Sequence, residues 1–211
     1  MKALRILIAD DHDVVRKGVR TVLEGHAGWV VCGEASTGRE AVAKAVDLRP
    51  DIVVLDISMP ELNGLEATRQ IRRAVPAKIL ILTMHDSDQV MTEVLDAGAH
   101  GYMLKTDAGR KLVEVIRALL QHQKFSTERI RSAGLRRGES AIKGRSGRLT
   151  PRQREVLQLL TEGKTNKEIA ATLGITAYTA ETHRTQIMAK LDLHSMSELV
   201  RYAIRNRIIE P

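Results

Sequence analysis

The sequence predicts an α/β doubly wound sheet of five parallel strands, followed by a small all-α unit of four helices. Three observations predict it. Apolar, β-branched runs alternate with amphipathic helical stretches up to Leu120, the pattern of βαβ units. Strand signals then vanish. Between the two regimes lies an Arg-, Gly- and Ser-rich stretch with little periodicity, too long to be a loop within a compact domain.

The first strand is Leu4 to Ala9, ending in Asp10-Asp11. Helical spacing follows over His12–Glu24 (Val14, Val15, Val19, Val22, Leu23). Trp29 to Cys32 reads as the second strand. Thr37–Leu48 reads as a helix with Ala41, Val42, Ala45 and Val46 on one side. Ile52–Leu55 is apolar throughout, as expected of a strand buried on both faces, and it runs into Asp56. Gly64–Ala74 is helical and is closed off by Pro76. Lys78–Leu82 is the fourth strand, ending at Thr83. A helix over Ser87–Ala97 stops at Gly98. His100–Leu104 is the fifth strand, ending at Lys105, and Leu112, Val115, Ile116, Leu119 and Leu120 form a clean helical stripe. Beyond the basic stretch, Thr150-Pro151 is an N-cap with Pro at the first helical position, and Glu155 lies near the capping-box position. Helices are expected over Pro151–Glu162, Asn166–Leu173, Ala177–Leu191 and Ser195–Asn206.

Charge supports the same division. Residues 1–123 carry 16 Lys and Arg against 17 Asp and Glu; residues 124–149 carry 8 against 2; residues 150–211 carry 9 against 7. The net charge of +7 is therefore concentrated in the middle, which predicts a domain over 1–122, a basic flexible linker over 123–148 and a second domain over 149–211. Nucleic acid is the first partner this balance suggests. No apolar run reaches membrane-spanning length, no signal-peptide pattern opens the chain, and the single cysteine, Cys32, reads as strand core. A cytoplasmic protein is expected.

In a right-handed βαβ sheet all parallel strands point the same way. Asp10, Asp11, Asp56, Thr83 and Lys105 each end a strand, so they should gather at one rim. Three carboxylates that close repel one another unless a cation is present. Oxygen-only ligands with open positions suit Mg²⁺, which pairs with phosphate. Lys105 supplies a point charge for a phosphoryl oxygen and Thr83 a hydroxyl. The chemistry this set can do is metal-assisted phosphoryl transfer onto a carboxylate. Met84, a long thioether just after Thr83, is expected to crowd the phosphoryl group.

On Ala9-Asp10-Asp11-His12, Leu55-Asp56-Ile57-Ser58-Met59-Pro60, Asn63-Gly64, Leu82-Thr83 and Gly101-Tyr102-Met103-Leu104-Lys105, residues 4–121 resemble the receiver domain of bacterial two-component response regulators. The resemblance implies a flavodoxin-like strand order of 2-1-3-4-5. It implies that Asp56 takes a phosphoryl group from the phosphohistidine of a sensor histidine kinase. Asp11, Asp56 and the carbonyl of Ser58 would ligate Mg²⁺, with Asp10 helping through water. Thr83 and Tyr102 would be a switch pair, the ring of Tyr102 turning inward as Thr83 moves toward the phosphoryl oxygen.

In the C-terminal part a short helix, a turn at Gly174 and a longer helix follow helix-turn-helix order, in which the second helix enters the DNA major groove. Its outward face would carry Tyr178, Glu181, Thr182, Thr185, Gln186 and Ala189. Glu181 could accept from cytosine and the Thr methyls could meet thymine methyls. Asn166 opens the preceding helix. Lys164, Lys167, Arg184 and Lys190 flank the face and suit phosphates. On Leu149-Thr-Pro-Arg-Gln-Arg-Glu155, Gly163-Lys-Thr-Asn-Lys-Glu-Ile-Ala170 and Glu181-Thr-His-Arg184, residues 148–208 resemble the LuxR-type DNA-binding domain. Ala177-Tyr178-Thr179-Ala180 departs from the Val-Lys-Thr-Val-like segment usual there. The two resemblances together imply the NarL/FixJ subfamily: a transcription regulator rather than an enzyme, binding double-stranded DNA as a homodimer once phosphorylated, with RNA polymerase as a further partner. The rival readings are a Mg²⁺-dependent hydrolase with Asp56 as nucleophile, and a DNA-binding protein with a vestigial pocket.

Overall fold

A computed structural model describes residues 3–84, 87–121, 149–206 and 208–209; the expected linker lies outside the described residues. Five parallel strands, β1 (Leu4–Ala9), β2 (Trp29–Ala35), β3 (Ile52–Asp56), β4 (Lys78–Thr83) and β5 (Gly101–Leu104), pair in the order 2-1-3-4-5. The helices are α1 (Asp13–Glu24), α2 (Gly38–Leu48), α3 (Gly64–Ala74), α4 (Asp88–Ala97) and α5 (Ala108–Leu120). Side chains alternate across the sheet. Leu7, Val53, Leu55, Ile79 and Ile81 face the core shared with α2, α3 and α4. Ile6, Ile8, Ile52, Val54 and Leu80 face the core shared with α1 and α5. The continuous apolar runs seen in the sequence are strands covered on both sides.

Three expectations need correction. The second strand does not stop at Cys32: it bulges there, Ile6 pairing with Val31 and Leu7 with Gly33, and continues to Ala35. The extra residue breaks the period-2 signal that sequence reading depends on. Cys32 is accordingly only half-buried, its thiol lying 3.4 Å from the Ile6 carbonyl. Val14, Val46 and Leu120, read as core-facing, are exposed.

The second unit has four helices: α6 (Pro151–Thr161), α7 (Asn166–Leu173), α8 (Ala177–Leu191) and α9 (Met196–Arg205). Its core is Val156, Leu157, Leu160, Ile169, Ile187 and Leu199, with others around them. Thr150 caps α6 as expected, but the reciprocal partner is Gln153, not Glu155. The reason is position: N3 is three residues after the cap, and Glu155 lies two further on. Gly174 takes φ +63° between α7 and α8, a left-handed turn that favours glycine.

Helix α6 also packs against the first unit. Gln158, 1% exposed, accepts from the backbone N–H of Asn63 (2.7 Å) and donates to the carbonyl of Met59 (2.9 Å). Glu162 accepts from the N–H of Glu61 at 3.0 Å. Arg154 donates to the buried Glu66 (2.8 Å), and Glu155 accepts from Arg39 (3.1 Å) and Gln70 (3.0 Å). The loop held this way is the one that leaves Asp56.

Candidate metal centre and candidate nucleic-acid interface

At the carboxyl ends of the strands the sheet brings together most of the expected set. Asp10 is 2% exposed and Asp56 3% exposed. The Lys105 ammonium bridges them, 2.8 Å from Asp10 Oδ2 and 2.8 Å from Asp56 Oδ2. Asp56 Oδ1 accepts from the N–H of Ile57 at 2.8 Å, and Asp10 Oδ1 from that of His12 at 2.9 Å. Thr83, at the end of β4, is buried beside them, and Asp11 is exposed at the mouth. Burial raises the Asp56 carboxyl from 3.8 to about 6, against the pull of Lys105 and with a push from Asp10. An ionised carboxylate there is under-compensated, which is the condition a cation relieves.

Ligand atoms of Asp10, Asp11, His12 and Asp56 all lie within 4.8 Å of one another. Buried carboxylates behind an exposed one fit a hard divalent cation that keeps several waters. His12 was not expected in this group. It sits at the N-cap of α1 without making a side-chain cap, and its Nδ1 lies 2.8 Å from Asp11. The adjacent carboxylate raises its pKa. The Asp-Asp-His run was the available signal.

Two local devices fix the geometry. Asn63 caps α3 by accepting from the Glu66 N–H. Gly64 lies so close to β3 that a Cβ would sit 1.9 Å from the Asp56 carbonyl. The Asn63-Gly64 pair is therefore required by close approach rather than by a turn. Tyr102 is 8% exposed and belongs to the core beside α4. Met84, one residue beyond β4, is 62% exposed. The backbone of Ser58 lies in the segment following β3, where its carbonyl was expected to serve.

On the helical unit the outward face of α8 is open. Tyr178 is 83% exposed, and Glu181, Thr182, Thr185, Gln186 and Ala189 are exposed with it. Lys164, Lys167 and Lys190 are exposed, while Asn166 and Arg184 are half-buried. Several of these groups are already engaged. Asn166 donates to Glu181, which also lies 3.9 Å from Arg184. Thr182 donates its hydroxyl to the Tyr178 carbonyl at 2.9 Å. Lys190 rests on Gln153 at 2.8 Å.

Comparison with known proteins matches residues 6–117 to the response regulator receiver domain and residues 147–203 to the bacterial regulatory proteins of the luxR family. The chain is 39% identical over 211 residues to the transcriptional regulatory protein LiaR of Bacillus subtilis, covering 98% of this chain and 99% of that one. It is 37% identical to the oxygen regulatory protein NreC of Staphylococcus epidermidis, over 98% and 100% of the two chains. Among solved structures it is similar to the RcsB response regulator of Salmonella typhimurium, with 28% identity, a TM-score of 0.63 and coverage of 96% and 97%. RcsB is also known as two dimers bound to two parallel DNAs.

Proposed function

Because the chain belongs to the response regulators of the NarL/FixJ subfamily, in which a receiver is joined to a LuxR-type DNA-binding domain that regulates transcription, we propose that Asp56 is its phosphoryl acceptor and that phosphorylation controls pairing on DNA. The observation that carries this reading is the buried Asp10–Lys105–Asp56 bridge, with both distances at 2.8 Å.

One oxygen of Asp56 attacks the phosphorus of a sensor kinase's phosphohistidine. A P–O bond forms, the P–N bond breaks with its electron pair staying on the ring nitrogen, and the imidazole, already protonated on its other nitrogen, leaves neutral. Lys105 can turn from Asp56 Oδ2 to a phosphoryl oxygen while keeping Asp10. Thr83 donates its hydroxyl to another oxygen. Asp11, Asp56 and the Ser58 carbonyl would hold Mg²⁺, with Asp10 acting through water; when bound, the ion neutralises the charge that gathers on the transferring group. Raised to about 6, the Asp56 carboxyl is ionised at neutral pH and retains basicity as a nucleophile.

The new charge, about −1.5 to −2 by analogy with other phosphoryl groups, is sensed by Thr83 and Tyr102. It is also sensed by the loop of Met59 to Asn63 that Gln158 grips. Release of that grip frees the 149–211 domain on its 123–148 tether, and a homodimer doubles the phosphate contacts that a mildly basic domain lacks alone. Lys164, Lys167, Arg184 and Lys190 meet the backbone; Tyr178, Glu181, Thr182 and Thr185 face the groove; Asn166 sets Glu181. In this reading the protein acts in the cytoplasm on double-stranded DNA, receives its signal from a sensor histidine kinase, and has RNA polymerase as a further partner.

The test is incubation with Mg²⁺ and acetyl phosphate followed by intact mass measurement and DNA selection. Wild type should gain one phosphoryl group and select DNA as a dimer. No gain, or an equal gain in Asp56→Asn, would end the reading.

A further inference from the structure

The reading face of α8 is bordered on one side by Asn166 of α7 and on the other by Gln153 of α6. Gln153 is 3% exposed, so it can touch no DNA. Both ends of its amide are nevertheless engaged. Oε1 accepts from the Lys190 ammonium (2.8 Å) and from the Thr150 N–H (3.1 Å), while Nε2 faces Gln186 Oε1 at 3.1 Å.

The orientation of this amide is dictated by its neighbours. An ammonium and a backbone N–H can only donate. The Gln153 end that meets them must therefore be the oxygen, and the opposite end must be the NH₂. That NH₂ can only donate, so Gln186 must meet it with its own oxygen. The Gln186 NH₂ is left as the outer end of an exposed side chain on the reading face.

We propose that Gln153 is a positioning residue for sequence readout. It fixes Gln186 with its oxygen inward and its NH₂ outward, which selects guanine through its O6/N7 edge at one operator position. A free glutamine offers an oxygen and an NH₂ together and pairs with adenine N7 and N6. Here the oxygen is turned inward against Gln153, so oxygen and NH₂ cannot face adenine together and adenine loses its bidentate partner. Cytosine, which presents an N4–H₂ donor, meets another donor. Guanine presents two acceptors, and thymine O4 comes second. The proposal rests on the assignment of α8 as the DNA-reading helix.

The experiment is selection from randomised duplexes by the full-length phosphorylated protein, comparing wild type, Gln186→Ala, Gln153→Glu and Gln153→Met. Wild type should show a guanine preference of about tenfold at one position, and Gln186→Ala should flatten that position alone. Gln153→Glu keeps the Lys190 partner but can only accept. Gln186 should then turn its NH₂ inward and its oxygen outward, moving the preference at that position to adenine or cytosine. Gln153→Met retains the volume and should weaken the preference without reversing it. An unchanged base preference in Gln153→Glu would overturn the proposal, as would a uniform loss at every position, which marks a purely structural role; in both cases DNA reading by α8 stands. If Gln186→Ala alters no position, both the proposal and the orientation of α8 fail.

Discussion

The acid pocket and the seam between α6 and the receiver both bury charge next to the same loop, yet they resolve it differently. In the pocket one lysine serves two buried carboxylates, and the imbalance shows in Asp56, whose carboxyl is pushed up to about 6. In the seam Glu66 meets Arg154 and Arg69, and Glu155 meets Arg39, Arg152 and Gln70. Each of these two carboxylates of the seam meets more than one cation or amide, although both arginines reach Glu66 through Oε2 and leave its Oε1 buried without a hydrogen-bond partner. On the proposed reading the pocket takes in a cation and a phosphoryl group, whereas the seam joins the two units.

The sharpest way to break this comparison is Lys105→Ala. It removes the bridge between Asp10 and Asp56 and the charge that would meet the phosphoryl oxygen. Phosphorylation by acetyl phosphate should slow by about 100-fold, read as the rate of mass gain; a change below threefold would make the pocket no different from a structural ion pair.

On the other side of the comparison, Gln158→Ala should strand the Met59 carbonyl and the Asn63 N–H at a buried contact. Docking should weaken by about 2 kcal/mol, and small-angle scattering of the unphosphorylated protein should show an expanded chain. An unchanged radius of gyration would mean that the ion pairs alone hold the seam.

Asp56→Asn sharpens the electrostatic difference. Asp56 has a folded value of about 6 against 3.8. Its contribution to stability is therefore fully present below about pH 4 and is lost as pH rises through 6, because ionisation is disfavoured in the fold. Without magnesium, the variant should be more stable than wild type by about 1–3 kcal/mol at pH 7.5 and equal to it at pH 4, measured on the receiver transition in urea. A gain that persists at pH 4 would point to packing rather than charge. The smallest effect is expected at Met84, which faces solvent. Met84→Ala should change the phosphoryl lifetime by less than about twofold.

The two regions also differ in how far the sequence revealed them. Asp10, Asp56, Thr83 and Lys105 were legible because each ends an apolar strand, and parallel strands deliver their ends to one rim. The helix order around Gly174 was legible from caps and turns. His12 was missed because it lies three residues past the end of β1 and reads as the start of a helix. The full length of β2 was missed because the bulge at Cys32 disrupts alternation. The seam was not legible at all. Gln158 sits among apolar neighbours on α6, and nothing in its own segment says that its partners are main-chain groups nearly a hundred residues away. Glu155 looked like a cap for the same reason.

The outward face of α8, with Tyr178, Thr182, Thr185 and Gln186 exposed, stays uncovered while α6 is seated on the receiver. Closure of this chain therefore does not hide its recognition helix. On the proposed reading a resting copy would touch DNA weakly before the signal arrives, and phosphorylation would recruit a second copy beside it. Response time would be set by local assembly on the operator rather than by a search through the genome.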